Sequence, residues 1–455
     1  MPRLPDLFAA SWTVLTRSDL ARSSVIVLLI RALNVFCAIG ISIVLIRSLG
    51  ARAYGFYAVY MSTFTLVALP LTSGMPYFIV KEVAPRFAER NGNEIKGVMR
   101  FFLQGTAIYM GLVALVLIAA WYLQIGREYR AFGILLWFHV SVQILNAGRS
   151  ALLRAIGRVV KGQLADRLIQ PAVTFVLTIA GWMALGSHFD VFDALVALLL
   201  SAVLSLALGA YWIREELGEI LSEAVPSKRH REWLSTLASL SGIGLLNTSF
   251  TNGVILIVGS VGSLEAAALY RLASAVAVVL NYLQEAMIQV VAPRIAELWH
   301  ARDKKALARL LMVGAVTNSG AIGIGTIILA LVGGEILALA YGAEYRQAYW
   351  ALLVLSCGNL AYALGGYRDL LLNMSGHAKE AFKISAVLVP MGLLAAAAGV
   401  FVLAQTGGAL AVLLFQIAAS LWLASATRKL TGIDPSILGL IRNPIKQYDA
   451  TRPAA

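Results

Sequence analysis

The sequence predicts an all-α polytopic membrane protein with twelve transmembrane helices in two parallel six-helix lobes around a central cavity. Three observations predict this fold. Apolar residues make up 59% of the 455 and charged residues only 13%, against about 25% charged in an ordinary globular domain; mean hydropathy is +0.79. The charges gather in short clusters between apolar runs of 18 or more residues, the length that crosses ~30 Å of hydrocarbon at ~1.5 Å per residue. Finally, the chain repeats itself. Val83-Ala84-Pro85-Arg86-Phe87-Ala88-Glu89 returns 208 residues later as Val291-Ala292-Pro293-Arg294-Ile295-Ala296-Glu297. Gly126-x-Glu128-Tyr129-Arg130 returns as Gly342-x-Glu344-Tyr345-Arg346, and Arg149-x-x-Leu152-Leu153-x-x-x-Gly157 as Arg368-x-x-Leu371-Leu372-x-x-x-Gly376. The order is kept and the offset drifts only from 208 to 219, as small loop insertions in a duplicated unit would give.

The apolar runs fall at about 25–46, 56–80, 101–123, 131–152, 168–186 and 190–213, then 234–259, 264–291, 310–332, 347–367, 382–403 and 407–426. Residues 1–24 show no apolar core before a cleavage site and read as a cytoplasmic or interfacial segment. With the N-terminus inside, inner regions hold 30 of the 37 Lys and Arg, and outer loops only Arg47, Arg52, Arg127, Arg130 and Arg346. That asymmetry predicts both termini on the cytoplasmic side. It also explains the net charge of +13 as contact with anionic inner-leaflet lipid, with no nucleic acid required. The domains are then an N-lobe at 25–213, a charged cytoplasmic linker at 214–233, a C-lobe at 234–427 and a cytoplasmic tail at 428–455. Six spans per half is an even number, so the repeat is parallel. Both Val-Ala-Pro-Arg copies end an outside-to-inside helix, where proline is expected to stop the helix and Arg to meet headgroups. Pro70, Pro76 and Pro390 predict kinks. Gly320-x-x-Gly323-x-Gly325 follows no strand and reads as a packing face. Cys37 and Cys357 lie in apolar runs and suggest no disulfide or metal site.

Polar side chains inside spans are costly and usually face a cavity or a partner. The eighth span carries Arg271, Ser274, Asn281, Glu285 and Gln289, all within an arc of roughly 80° on an ideal helix; Gln284 lies nearby. This stripe predicts a water-accessible cavity face, against the plainer reading of a polar seam between helices. The first span repeats the pattern with Arg31, Asn34, Ala38 and Ser42. By depth, Arg31 and Glu285 are expected to pair as a cytoplasmic gate, or as a static ion pair. Arg271 has no acidic residue at its depth on its own helix, which points to an anionic ligand, because guanidinium binds phosphate bidentately and stays charged. His139 is a candidate proton relay or a structural histidine. Asn247, Thr251 and Asn252 could line the cavity or bond between helices. Glu285 is the carboxylate deepest in a span, and so the candidate for coupling.

Leu45-Ile46-Arg47-Ser48-Leu49-Gly50, followed by Tyr54-Gly55-Phe56-Tyr57, resembles the signature of the polysaccharide transporter (Wzx-like) flippases of the multidrug/oligosaccharidyl-lipid/polysaccharide exporter superfamily. Gly342-Ala343-Glu344-Tyr345-Arg346 is similar to a recurrent motif of the same group. The resemblance spans residues 25–427. It implies two six-helix lobes around a cationic cavity and transfer of an undecaprenyl-pyrophosphate-linked oligosaccharide across the bacterial cytoplasmic membrane by alternating access. It implies Arg31 and Arg271 as pyrophosphate-binding residues and Arg52 as the nearest match to a third. It further implies a lipid-linked oligosaccharide and membrane lipids as partners, a polysaccharide polymerase as a candidate partner, no cofactor, and proton or sodium coupling left open. Twelve spans instead of fourteen set the chain apart from lipid II flippases.

Asn34, Ser274, Asn281 and Gln284 would offer hydrogen bonds to sugars while the prenyl tail stays in lipid. A cation-coupled multidrug exporter of the same superfamily is the alternative; it typically needs an embedded acid in the first or seventh span, and neither has one. A membrane glycosyltransferase or polymerase would use a sizeable outer loop with catalytic groups, and the outer loops here are short. The expected protein is a transporter and not an enzyme.

Overall fold

The structure is a computed structural model that describes residues 19–124, 129–222, 224–227, 232–234, 237 and 242–436. Among these the regular elements are helices, with no strand. In chain order they are α1 (19–49), α2 (51–73, then Met75–Ala88), α3 (Gly92–Tyr122), α4 (Arg130–Ala155), α5 (159–185) and α6 (Val191–Ser222). The second half follows with α7 (Gly242–Ile257, closed by a π turn at Val258–Gly262), α8 (Leu264–Ala277, then Val279–His300) and α9 (Lys304–Tyr341). It ends with α10 (Tyr349–Leu364, then Arg368–Met374), α11 (378–402) and α12 (405–431). By length and apolar composition, ten segments of the described chain can cross a membrane when the bent α10 is taken as one span. Two of these segments, 33–88 and 378–431, each hold two helices, which makes twelve.

Two turns between helices are nearly absent. Between α1 and α2 only Gly50 leaves helical geometry, at φ 76° and ψ 172°, a conformation glycine reaches without Cβ strain. Between α11 and α12 the turn is Leu403 and Ala404, and just beside it Gly399 and Gly407 bring the two backbones into direct contact; a Cβ on either would strike the other's main chain.

The expected helix stop at Pro85 and Pro293 is corrected. Both helices run past the proline, to Ala88 and His300. Proline removes one backbone donor, and near a helix end that loss is small. The real stops come later and are themselves a repeat. Arg90 (φ 53°) and Arg302 (φ 55°) each turn the chain into the left-handed region. The next residue then caps the following helix: Asn91 accepts from the Glu94 N–H at 3.2 Å and Asp303 from the Ala306 N–H at 2.9 Å. Likewise Gly157 (φ 81°) and Gly376 (φ 85°) close the two Arg-x-x-Leu-Leu copies.

By internal contacts the chain forms two compact units: residues up to 49 with 64–242, and 50–63 with 243 onward. The N-terminal part of α2 thus belongs with the second unit, where Gly55 lies against the Leu264 carbonyl and Val59 against Gly259. The first unit has a continuous apolar core built on Phe78, Ile79, Ile95, Val98, Leu153 and Leu217. Trp233, at the end of the charged linker segment, is 2% exposed in that core, with its ring 5.5 Å from Phe101 and 6.5 Å from Phe78. Lys96 fixes the end of α6 by donating to the Leu221 and Ala224 carbonyls at 3.2 and 2.8 Å.

Candidate functional site

The second unit contains a cavity of about 380 Å³ between α7, α8, α10 and α12. The interruption of α8 lies on its wall. At Val278 the Asn281 N–H bonds the Val278 carbonyl at 2.9 Å, one residue short of the regular i→i−4 pattern. The regular acceptor, the Ala277 carbonyl, instead takes a hydrogen bond from the Asn359 amide on α10 at 3.1 Å. Gln416 on α12 donates to the Asn359 Oδ1 at 3.1 Å. A freed carbonyl in the membrane costs several kcal/mol unless it is satisfied, so this amide relay is what permits the interruption. Gly358 leaves room for it: a Cβ there would collide with the Gln416 side chain.

Ser274, Asn281 and Glu285 of the eighth-span stripe line this cavity, and Gln284 with them. So do Asn247 and Thr251 of α7, whereas the Asn252 amide turns back to the Thr248 carbonyl at 3.0 Å. The remaining wall is aromatic: Tyr270, Tyr362, and Phe250 stacked on Phe415 with centroids 4.0 Å apart.

Other expected residues lie elsewhere. Arg271 is half-buried and not on the cavity wall. It sits within electrostatic reach of the Tyr54, Tyr57 and Tyr270 hydroxyls, and no described residue forms a hydrogen bond or ion pair with its guanidinium. Arg52 is largely exposed and 4.0 Å from Glu265, a surface pair of small energetic weight. Asn34 does not line this cavity either; its amide donates to the Arg167 carbonyl at 2.8 Å. Ser42 bonds the Ile39 carbonyl. His139 is buried in the first unit, edge-on to Phe64 at 5.7 Å. The side chains of Arg31 and Gln289 lie outside what the structure describes, and with Arg31 the expected Arg31–Glu285 gate.

Sequence reading passed over Asn359, Gln416, Tyr362 and Asp369. The first two were visible as lone amides in otherwise apolar spans. Asp369 lies inside the repeated arginine motif and Tyr362 six residues before its arginine. Arg149 is buried and ion-paired with Asp166, which also accepts from Ser205. Its counterpart Arg368 is fully buried and, among the described residues, has no carboxylate on its guanidinium; it donates to the Tyr362 carbonyl at 3.0 Å and packs 4.4 Å over the Tyr362 ring. Asp369 instead accepts from the Tyr362 hydroxyl at 2.8 Å. The position that matches Asp166 by the offset of the motif is Ser385. Tyr362 thus forms cavity wall on one side and is held by Arg368 and Asp369 on the other.

Solved structures share this arrangement of helices. An inward-facing multidrug resistance MATE family transporter of the MOP superfamily superposes with a TM-score of 0.72 at 16% identity, covering 88% of this chain and 95% of that one. An outward-facing structure of a multidrug resistance MATE family transporter of the same superfamily gives 0.60 at 17%, covering 92% and 98%. The shared property is the fold. A MOP superfamily transporter from Pyrococcus furiosus Vc1, described by the reverse polarity of its binding pocket and a suggested different function, gives 0.55 at 15%, covering 88% and 94%. No family model and no curated sequence matches the chain.

Proposed function

We propose that this chain is a flippase that moves an undecaprenyl-pyrophosphate-linked oligosaccharide from the inner to the outer leaflet of the bacterial cytoplasmic membrane, with both termini cytoplasmic. The observation that carries the reading is Arg271, a half-buried cation within electrostatic reach of Tyr54, Tyr57 and Tyr270 and left without a protein counter-ion among the described residues. Such a group is stable in a membrane protein when water or an anionic ligand completes it, and a pyrophosphate does so with charge-assisted, bidentate geometry. The fold supports alternating access, since structural neighbours of both facings are transporters. The neighbour described by a reversed pocket polarity supports the idea that this fold accepts pockets of more than one sign. Arg31 and Arg52 complete the proposed cationic set.

A second reading, a cation-coupled multidrug exporter, rests on Glu285 beside the aromatic wall of Phe250, Phe415 and Tyr362; that combination suits a lipophilic cation.

Arg271→Ala separates the two. The flippase reading expects lipid-linked oligosaccharide to build up in the inner leaflet. Loss of a charge-assisted contact worth about 1.5–3 kcal/mol corresponds to roughly a 10- to 100-fold fall in export. Export at the wild-type rate with normal expression overturns it.

A further inference from the structure

The second copy of the Val-Ala-Pro-Arg helix end is longer than the first. In α2 the left-handed Arg90 follows Glu89 of the heptapeptide directly. In α8 Leu298, Trp299, His300 and Ala301 stand between Glu297 and the left-handed Arg302. At ~3.6 residues per turn, the insertion adds about one turn to the helix. Leu298 and Trp299 pack on the apolar core at this end of the second unit. Beside them lies the loop that closes the second Arg-x-x-Leu-Leu copy. Its first-unit counterparts, Ala155 and Ile156, are buried in the first core, whereas Met374 and Ser375 are only half-buried. The result is an open concavity of about 420 Å³ lined by Trp299, His300, Arg302, Met374, Ser375 and Gly376.

Its wall has two characters. Trp299 and Met374 are apolar, while His300 and Arg302 are exposed and basic. The main-chain acceptors at the end of α8 are already used. His300 Nδ1 donates to the Ala296 carbonyl at 3.0 Å, and the Ala301, Asp303 and Arg302 N–H groups donate to the Glu297, Leu298 and Trp299 carbonyls. The neighbouring carboxylates are used as well. Asp303 caps the Ala306 N–H at 2.9 Å, Glu297 holds Arg294 at 2.8 Å, and Glu380 holds Lys383 at 2.6 Å. No described residue forms an ion pair with Arg302, Lys304, Lys305 or Lys379. Just past Gly376, α11 starts with no side-chain cap on its first N–H groups, a helix end that favours anions.

We propose that this concavity docks the headgroup of an anionic phospholipid. With both termini cytoplasmic, the lipid belongs to the inner leaflet, where basic residues meet a negative surface. The phosphodiester takes the Arg302 guanidinium as a charge-assisted donor. The glycerol and first methylenes cover Met374 and the Trp299 ring, an amphipathic side chain suited to the membrane interface. A free anion would leave that apolar wall wet, and an acyl chain alone would leave Arg302 unanswered. The site does not depend on which substrate the protein carries.

The test uses the purified full chain in detergent with dioctanoyl phosphatidylglycerol, zwitterionic dioctanoyl phosphatidylcholine and inorganic phosphate. Binding is read by native mass spectrometry and by melting curves. Phosphatidylglycerol is expected to bind about tenfold more tightly than phosphatidylcholine, as one added charge-assisted contact would give. Arg302→Gly removes the cation and suits the left-handed backbone, so the variant should fold; it is expected to erase the preference. Arg90→Gly makes the same change in the first unit and is expected to keep it. Trp299→Leu is expected to weaken both lipids. In the unsubstituted chain, photoactivatable phosphatidylglycerol is expected to cross-link within 298–302 and 374–379. Equal binding of the two lipids overturns the site, as does wild-type binding by Trp299→Leu. Equal behaviour of Arg302→Gly and Arg90→Gly would mean diffuse surface charge and overturns it too. So does displacement of the lipid by an equal concentration of inorganic phosphate, or cross-linking confined to other segments.

Discussion

The second helix of each half is interrupted, and the two interruptions are made differently. In α2 the chain breaks at Gly74 and restarts with Pro76 in the first turn of the new segment, so glycine and proline encode the break locally. In α8 the residues around the break are Ala277, Val278 and Val279, none of which breaks a helix. There the interruption is held from outside, by Asn359 and behind it Gln416. The first unit packs the region of its own break with apolar side chains such as Met75, Phe78 and Ile79. The second opens a cavity at its break. The repeat therefore carries an interrupted helix in both halves and, among the described residues, lines a polar cavity at the second.

The buried arginines provide the sharpest way to break this comparison. Asp166→Asn should leave Arg149 as an uncompensated buried charge and cost about 3–5 kcal/mol. Arg368→Met removes a guanidinium that has no carboxylate partner and strands only carbonyl acceptors, so it should cost clearly less. Paired melting curves in detergent check this, and equal losses would show that the two arginines are interchangeable parts of the repeat. Next in size is Asn359→Leu, which strands both the Ala277 carbonyl and the Gln416 amide at roughly 1–3 kcal/mol each. Pro76→Ala in α2 should change stability by only about 0.4–1 kcal/mol, largely through the unfolded chain. If both changes cost the same, the α8 break is intrinsic and the relay incidental. The smallest contrast is in the repeated heptapeptide. Arg86 is mostly buried between Glu82 and Glu94, at 2.9 and 3.0 Å, and Arg86→Ala should cost about 1.5–3 kcal/mol. Arg294 pairs with Glu297 at 2.8 Å on the exposed face, and Arg294→Ala should cost under about 1 kcal/mol.

The same contrast explains what could be read in advance. Helix number, helix order and the duplication follow from apolar run length and repeated residues, because a span must satisfy its own backbone and must be about as long as the hydrocarbon is thick. The eighth-span polar stripe contained Ser274, Asn281 and Glu285, which line the cavity of the second unit. It also grouped Arg271 with them, since an ideal helix was assumed. Arg271 belongs to the regular segment before the interruption, between the wall residues Tyr270 and Ser274, and is not itself on the wall. The first-span amide Asn34 was read as cavity lining by analogy with α8. In the structure it donates to a main-chain carbonyl of its own unit, a bond that periodicity cannot distinguish from exposure to water.

By itself, then, the sequence determined a twelve-helix duplicated membrane fold and the side chains able to form a polar face. Both follow from short-range rules: hydrophobic length, glycine and proline geometry, and helical period. Tertiary structure alone decided where that face opens. The Ala277 carbonyl is released by contact with Asn359, 82 residues away in the chain, and Arg368 is held by the ring of Tyr362 where its counterpart Arg149 has Asp166. Which buried polar group is spent on the protein and which remains for a ligand depends on partners that no local pattern names.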